Sequence, residues 1–121
     1  MTPSVVDLSE KLARISKPWT PGIVAELNGQ HVKLVKLLGE FVWHAHENED
    51  EMFLVIDGTL RMEFRDRGVN VERGQFIVVP RGVEHRPVAE SECAVMLFEP
   101  ASTVNTGTAG GTRTVAQPEW L

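Results

Sequence analysis

The chain has 121 residues, 42% of them hydrophobic and 24% charged, enough for one domain around one core. Seventeen acidic residues against 12 Lys and Arg give a net charge of −5 with no basic block, which argues against a nucleic-acid partner. No apolar run approaches membrane-spanning length, Met1 to Glu10 lacks the basic start and apolar stretch of a secretory leader, and the lone Cys93 leaves no intrachain disulfide, so a cytoplasmic location is expected.

Residues 4–16 read as a short amphipathic helix, with Leu8, Leu12 and Ile15 on one face and Ser4 or Asp7 as its cap. Pro18 and Pro21 forbid its continuation. Strands follow. Asn28-Gly29 predicts a two-residue hairpin between Ile23–Leu27 and Gln30–Leu38. Phe41–His46 is the next predicted strand, then a polar turn at residues 47–50, then Glu51–Ile56 and an Asp57-Gly58 turn. Along Leu60–Arg65 the residues Leu60, Met62 and Phe64 face inward, while Arg61, Glu63 and Arg65 face water. Val69–Val71, Phe76–Val79, His85–Val88 and Ala94–Glu99 complete a pattern of short strands and turns that predicts a sandwich or barrel. Met52–Ile56 and Phe41–Trp43 are apolar on both faces, so the outer face needs a cover. The N-terminal helix and C-terminal tail are one cover, and a second subunit is the other. Ala101 to Thr114 is rich in Thr, Gly and Ala and reads as an irregular arm, docked by the apolar end at residues 118–121.

The chemistry is concentrated in two segments. His44, His46, Glu51 and Gly58 form His-x-His-x4-Glu-x6-Gly, and Gly74, Pro80, Gly82 and His85 form Gly-x5-Pro-x-Gly-x2-His. Histidines one residue apart share a strand face, so three imidazoles and a carboxylate on neighbouring strands can converge on one cation. These segments resemble the two signature motifs of the cupin superfamily, a likeness covering roughly residues 30–100. The usual leading Gly is one residue out of place if Gly39 is its counterpart, and Ala89 stands where an Asn is common. The resemblance implies an all-β double-stranded β-helix, a jelly-roll barrel with a short N-terminal helix. The expected division is helix and linker over residues 1–21, barrel over 22–100 and arm over 101–121, all one domain. It also implies a metal held by His44, His46, Glu51 and His85, and a homodimer, common among small single-domain cupins. Glu99-Pro100 followed by Asn105-Thr106-Gly107 resembles the tail of small cupins labelled mannose-6-phosphate isomerase-like.

Imidazole nitrogen and carboxylate oxygen suit Zn, Fe, Mn, Ni or Cu, and the set is too nitrogen-rich for Mg or Ca. Four protein ligands leave two positions open on a six-coordinate ion. Three neutral histidines and one carboxylate leave a divalent ion with net charge +1, which favours a small anionic or oxygen-rich ligand. The spacing to Gly58 selects Glu51 over Glu49 and Asp50, and strand parity turns Asp50 away. His31 is a candidate general base or hydrogen-bond partner of a ligand, its plain alternative being an ordinary strand histidine. Expected pocket walls are Val42, Phe53, Leu60, Met62, Phe64, Ile77 and Val79, with Trp43 on the opposite face from His44. Cys93 lacks a paired base and is expected to be buried and inert. Arg81 and Arg86 flank His85 and are candidate anion-steering groups, but no phosphate clamp is evident. Two functions follow: a metal-dependent enzyme on a small organic acid or sugar, with dioxygenase or isomerase/lyase chemistry, or a non-catalytic metal- or ligand-binding module acting through a partner, since no output domain is evident. A metal-free cupin of the sugar-epimerase kind is opposed by the intact ligand set.

Overall fold

Asn28 and Gly29 have φ of +52° and +75°, the two positive values that a type I′ turn requires, and they join β1 (Gly22–Leu27) to β2 (Gln30–Glu40). The structure, a computed structural model, describes residues 3–121; Met1 and Thr2, part of the expected N-terminal segment, lie outside the described residues. The remaining elements are α1 (Leu8–Leu12), β3 (Glu51–Asp57), β4 (Thr59–Phe64), β5 (Gly68–Glu72), β6 (Phe76–Val79), β7 (His85–Pro100) and β8 (Glu119–Trp120).

The architecture is the all-β jelly roll expected. Strand β7 is its spine. Its first five residues pair with β4 and the end of β2, its last eight pair with β2, and residues 94–98 lie between β2 and β3. The path β5-β4-β7-β2-β1-β8 forms the main sheet, and β3 carries β6 on its other edge. Alternation sends Val35 and Leu37 of β2, Phe53 and Val55 of β3, Leu60 and Met62 of β4, and Cys93, Val95 and Leu97 of β7 into one core.

Several boundaries differ from the sequence reading. The helix runs only Leu8–Leu12, capped by Asp7, whose carboxylate accepts from Glu10 N at 3.1 Å; Ser4 plays no such part. Ile15 lies beyond the helix yet is buried, because Lys36 Nζ donates to Ile15 O at 2.9 Å and ties this stretch to β2. His85–Val88 and Ala94–Glu99 are one 16-residue strand, since the exposed Glu90, Ser91 and Glu92 remain extended. Phe41–His46 is not a continuous strand: Phe41 N donates to Pro87 O, and only His44 pairs reciprocally, with His85. Pro87 has no N–H to return, so the ladder cannot propagate. The arm does dock. Strand β8 pairs parallel with β1, Leu121 N donates to Ile23 O at 2.9 Å, and Lys11 Nζ donates to Leu121 O at 2.7 Å.

Candidate metal centre

Glu51 opens β3 and His85 opens β7, both facing the barrel interior, while His44 and His46 project from the irregular segment between β2 and β3. All four side chains are buried, and one ligand atom from each lies within 4.8 Å of all the others. On an octahedral ion with bonds of about 2.1 Å, adjacent ligand atoms stand about 3.0 Å apart and opposite ones about 4.2 Å. His46 Nε2 lies 3.2 Å and His85 Nε2 3.5 Å from Glu51 Oε1, close to the adjacent-ligand separation.

The tautomers are set by the backbone. His44 Nδ1 lies 2.9 Å from Val42 O and His85 Nδ1 2.9 Å from Val83 O. A carbonyl only accepts, so each Nδ1 carries the proton and each Nε2 presents a bare lone pair. Among the described residues, both ring nitrogens of His46, His85 Nε2 and Glu51 Oε1 are buried without hydrogen-bond partners. Lone pairs facing one another away from water are costly unless a cation lies between them. The buried cluster therefore fits a divalent metal site, and these four residues would hold the ion.

Electrostatics keep the donors in their ligating forms. Burial, and then the neighbouring His85, lower the pKa of His44 from 6.5 to about 4, so it is neutral at pH 7. Burial alone would raise Glu51; the adjacent His46 and His85 rings outweigh it and hold the carboxyl well below its ordinary range.

Behind Glu51 lies a group that the sequence reading missed. The β3–β7 register, Met52 opposite Phe98, carried one residue further sets Glu51 opposite Glu99. Glu99 is fully buried, and its Oε2 accepts from Lys33 Nζ at 2.8 Å. Burial and the Glu51 charge push the Glu99 pKa well up, and Lys33 pulls the other way. The signal was present in the sequence: Lys33 shares the inward parity of Val35 and Leu37, and Glu99 that of Val95 and Leu97. The arm was also missed as a support. Thr108 N donates to Ala45 O at 2.9 Å and Ala45 N donates to Thr108 Oγ1 at 3.1 Å; from the turn before β7, Gly82 N donates to His46 O at 2.8 Å.

His31 lies opposite Glu99 in the β2–β7 register, but its Nε2 meets Glu26 Oε1 at 3.0 Å and its ring packs edge-on against Trp120, so it takes no part in the cluster. Asp50 points away and accepts from Arg81 N at 2.9 Å. Arg86 is paired with Glu63 and Glu40. Trp43 lies outside, under the Arg65 guanidinium at 4.0 Å. Cys93 is buried, and burial followed by the Asp57 charge pushes its thiol up to about 11.

A cavity of about 40 Å³ opens onto His44 and Glu51, walled by Trp19, Val35, Leu37, Phe41, Phe53 and Leu97. Of the expected walls only Phe53 lines it. Leu60, Met62 and Val79 lie deeper in the core, because the linker folds Trp19 over this end of the barrel and stacks it on Phe41 at 4.7 Å. No arginine or lysine lines it.

The family model for the cupin domain matches residues 31–99, more than half the chain. A cupin-2 domain protein of Shewanella frigidimarina is 44% identical with TM-score 0.78, over 79% of this chain and 94% of that one. Protein NMB1881 of Neisseria meningitidis is 33% identical with TM-score 0.74, over 81% of this chain and all of that one. The uncharacterized protein YdbB of Bacillus subtilis is 34% identical over 64 residues, 52% of this chain and 57% of that protein, so the match spans little more than half of it. With its matched family model and its buried cluster of three histidines and a glutamate, the chain belongs to the cupin domain family.

Proposed function

We propose that this cupin is a metal-dependent enzyme acting on a small organic acid or sugar-type substrate that ligates the metal through oxygen. The observation that carries the reading is the convergence of bare, buried donor atoms beside a cavity that reaches two of them. His44, His46, Glu51 and His85 would hold a divalent transition ion. Bound there, the ion supplies Lewis-acid activation of a substrate oxygen or, if redox-active, a route for electrons to dioxygen. The protein supplies the rest. Val42 O and Val83 O fix the proton on Nδ1 of His44 and His85, Glu51 stays ionised, and the apolar walls limit water beside the reacting oxygen.

The test is to reconstitute chelator-treated protein with Fe, Mn, Ni or Zn and to follow dioxygen uptake and product formation with small acids and sugars. Turnover with uptake on Fe identifies the dioxygenase branch, and turnover without uptake on Zn or Mn the isomerase or lyase branch. His85→Ala is expected to abolish metal-dependent turnover, and full turnover in that variant would contradict the reading.

We also propose a cytoplasmic homodimer. The free Cys93 supports a reducing compartment. The outer face of β6, β3 and β7 supports the dimer: Phe76 and Val78 are 60% and 49% exposed, and Met52, Leu54, Met96 and Phe98 are half-buried beside them. An apolar, uncharged surface of this kind can meet its own copy across a two-fold axis without opposing like charges.

A further inference from the structure

We propose that the substrate's organic body is apolar, so that the ligand is a small hydrocarbon-bodied acid or similar oxygen donor and not a polyhydroxylated sugar, and that Trp19 is the residue that sets its permitted size. The inference rests on the metal-dependent reading above and narrows it.

The cavity beside the cluster has a polar end and apolar walls. His44 and Glu51 form the polar end. Around it stand Trp19, Val35, Leu37, Phe41, Phe53 and Leu97, which offer no hydrogen bond to a hydroxyl inside. The other polar lining residue, Asn105, is already engaged: its amide donates to Arg113 O at 2.8 Å and its carbonyl accepts from Val115 N at 2.8 Å. A sugar seated here would bury hydroxyls without partners, at a cost that an apolar body avoids. The groove on the far side of His46 is a poorer seat for an anion, because Glu47 and Glu49 line it.

Trp19 is the adjustable wall. It has φ +63°, unusual for a bulky residue and a conformation retained only where surrounding contacts enforce it. Here its N donates to Lys36 O and its Nε1 donates to Leu38 O, both at 2.8 Å, and its ring stacks on Phe41 at 4.7 Å. Both donors are spent on the β2 backbone, so the indole presents an apolar ring to the cavity and no hydrogen bond to a ligand.

The experiment has two arms. In the first, Co(II)-loaded protein is titrated with acetate, propionate and butyrate and with 4-hydroxybutyrate, whose hydroxyl sits at the far end of the chain from the metal-binding carboxylate, following the cobalt absorption spectrum. Affinity is expected to rise about fourfold per added methylene until the cavity is filled, and to fall on hydroxylation. Trp19→Ala should extend the series to longer chains, and Trp19→Phe should restore the wild-type limit. The hydroxylated acid binding as tightly as butyrate, or a Trp19→Ala variant with an unchanged size limit, would overturn the proposal. In the second arm, xenon NMR on chelator-treated protein probes the cavity without any metal. Xenon binding that Trp19→Ala alters supports the apolar seat even if cobalt fails to load, which would defeat only the metal reading. No xenon binding in the wild type would overturn the apolar seat itself.

Discussion

Glu99 shows how one residue can be silent in a motif and still matter to the site. Two buried carboxylates directly opposite each other repel. In this barrel Lys33 Nζ, 2.8 Å from Glu99 Oε2, offsets that repulsion beside Glu51. Lys33→Met is therefore expected to cost about 1–3 kcal/mol, because it removes the buried hydrogen bond to Glu99 Oε2 and leaves that oxygen without its donor. Lys33→Met combined with Glu99→Gln should recover a large part of the loss. Chemical denaturation of the two variants measures both effects, and a single-variant cost below about 1 kcal/mol would show the pair to be unimportant. The four clustering residues were legible because fixed spacing and two-residue parity constrain them directly. Lys33 and Glu99 were equally constrained by parity, but a charged residue at an inward position has meaning only once its partner, 66 residues away, is known. His31 has inward parity too, yet Glu26 across the β1–β2 hairpin captures its ring, a contact that alternation alone does not reveal.

At the scale of elements, the segment that carries His44 and His46 has no full ladder and depends on the arm. Gly107 has φ +49°, and a Cβ there would stand 2.2 Å from Ala45 O and 3.0 Å from His46 Nδ1. Gly107→Ala must displace the Ala45 backbone, so it should destabilise the protein by about 1–3 kcal/mol and weaken metal binding with it. Gly110→Ala is the control. It shares a positive φ of +60° but meets nothing within 4 Å, so it should cost about 1 kcal/mol at most and leave metal affinity unchanged. Equal metal affinities in the two variants, read by competition with a chelating dye, would remove the arm from the account. Strands with clean alternation, such as β4, were read within a residue of their observed ends. The Phe41–His46 stretch was misread because its apolar pattern is strand-like, while Pro87 on the partner lacks the N–H that a ladder needs. The arm's apolar terminus predicted docking but gave no sign of parallel pairing with β1.

For the whole molecule, the cover supplied by the chain itself spans only part of the outer surface. The N-terminal stretch lies against β2, where Lys36 holds Ile15 O, and the arm extends the sheet beyond β1. The face of β6, β3 and β7 keeps its apolar residues exposed. Sedimentation should accordingly give twice the 13.5 kDa chain mass, and Val78→Glu, which places like charges together across a two-fold axis, should give the monomer. A 13.5 kDa species at every concentration of the unaltered protein would refute the dimer. The activity proposed for this molecule depends on its bare, buried donors holding a metal ion. The most direct test of that binding is elemental analysis of protein purified without chelators, compared with His46→Ala. One equivalent of a transition metal in the wild type and a large loss in the variant are predicted. Content far below one equivalent that added Fe, Mn, Ni, Cu or Zn does not restore, or equal content in both proteins, would contradict it.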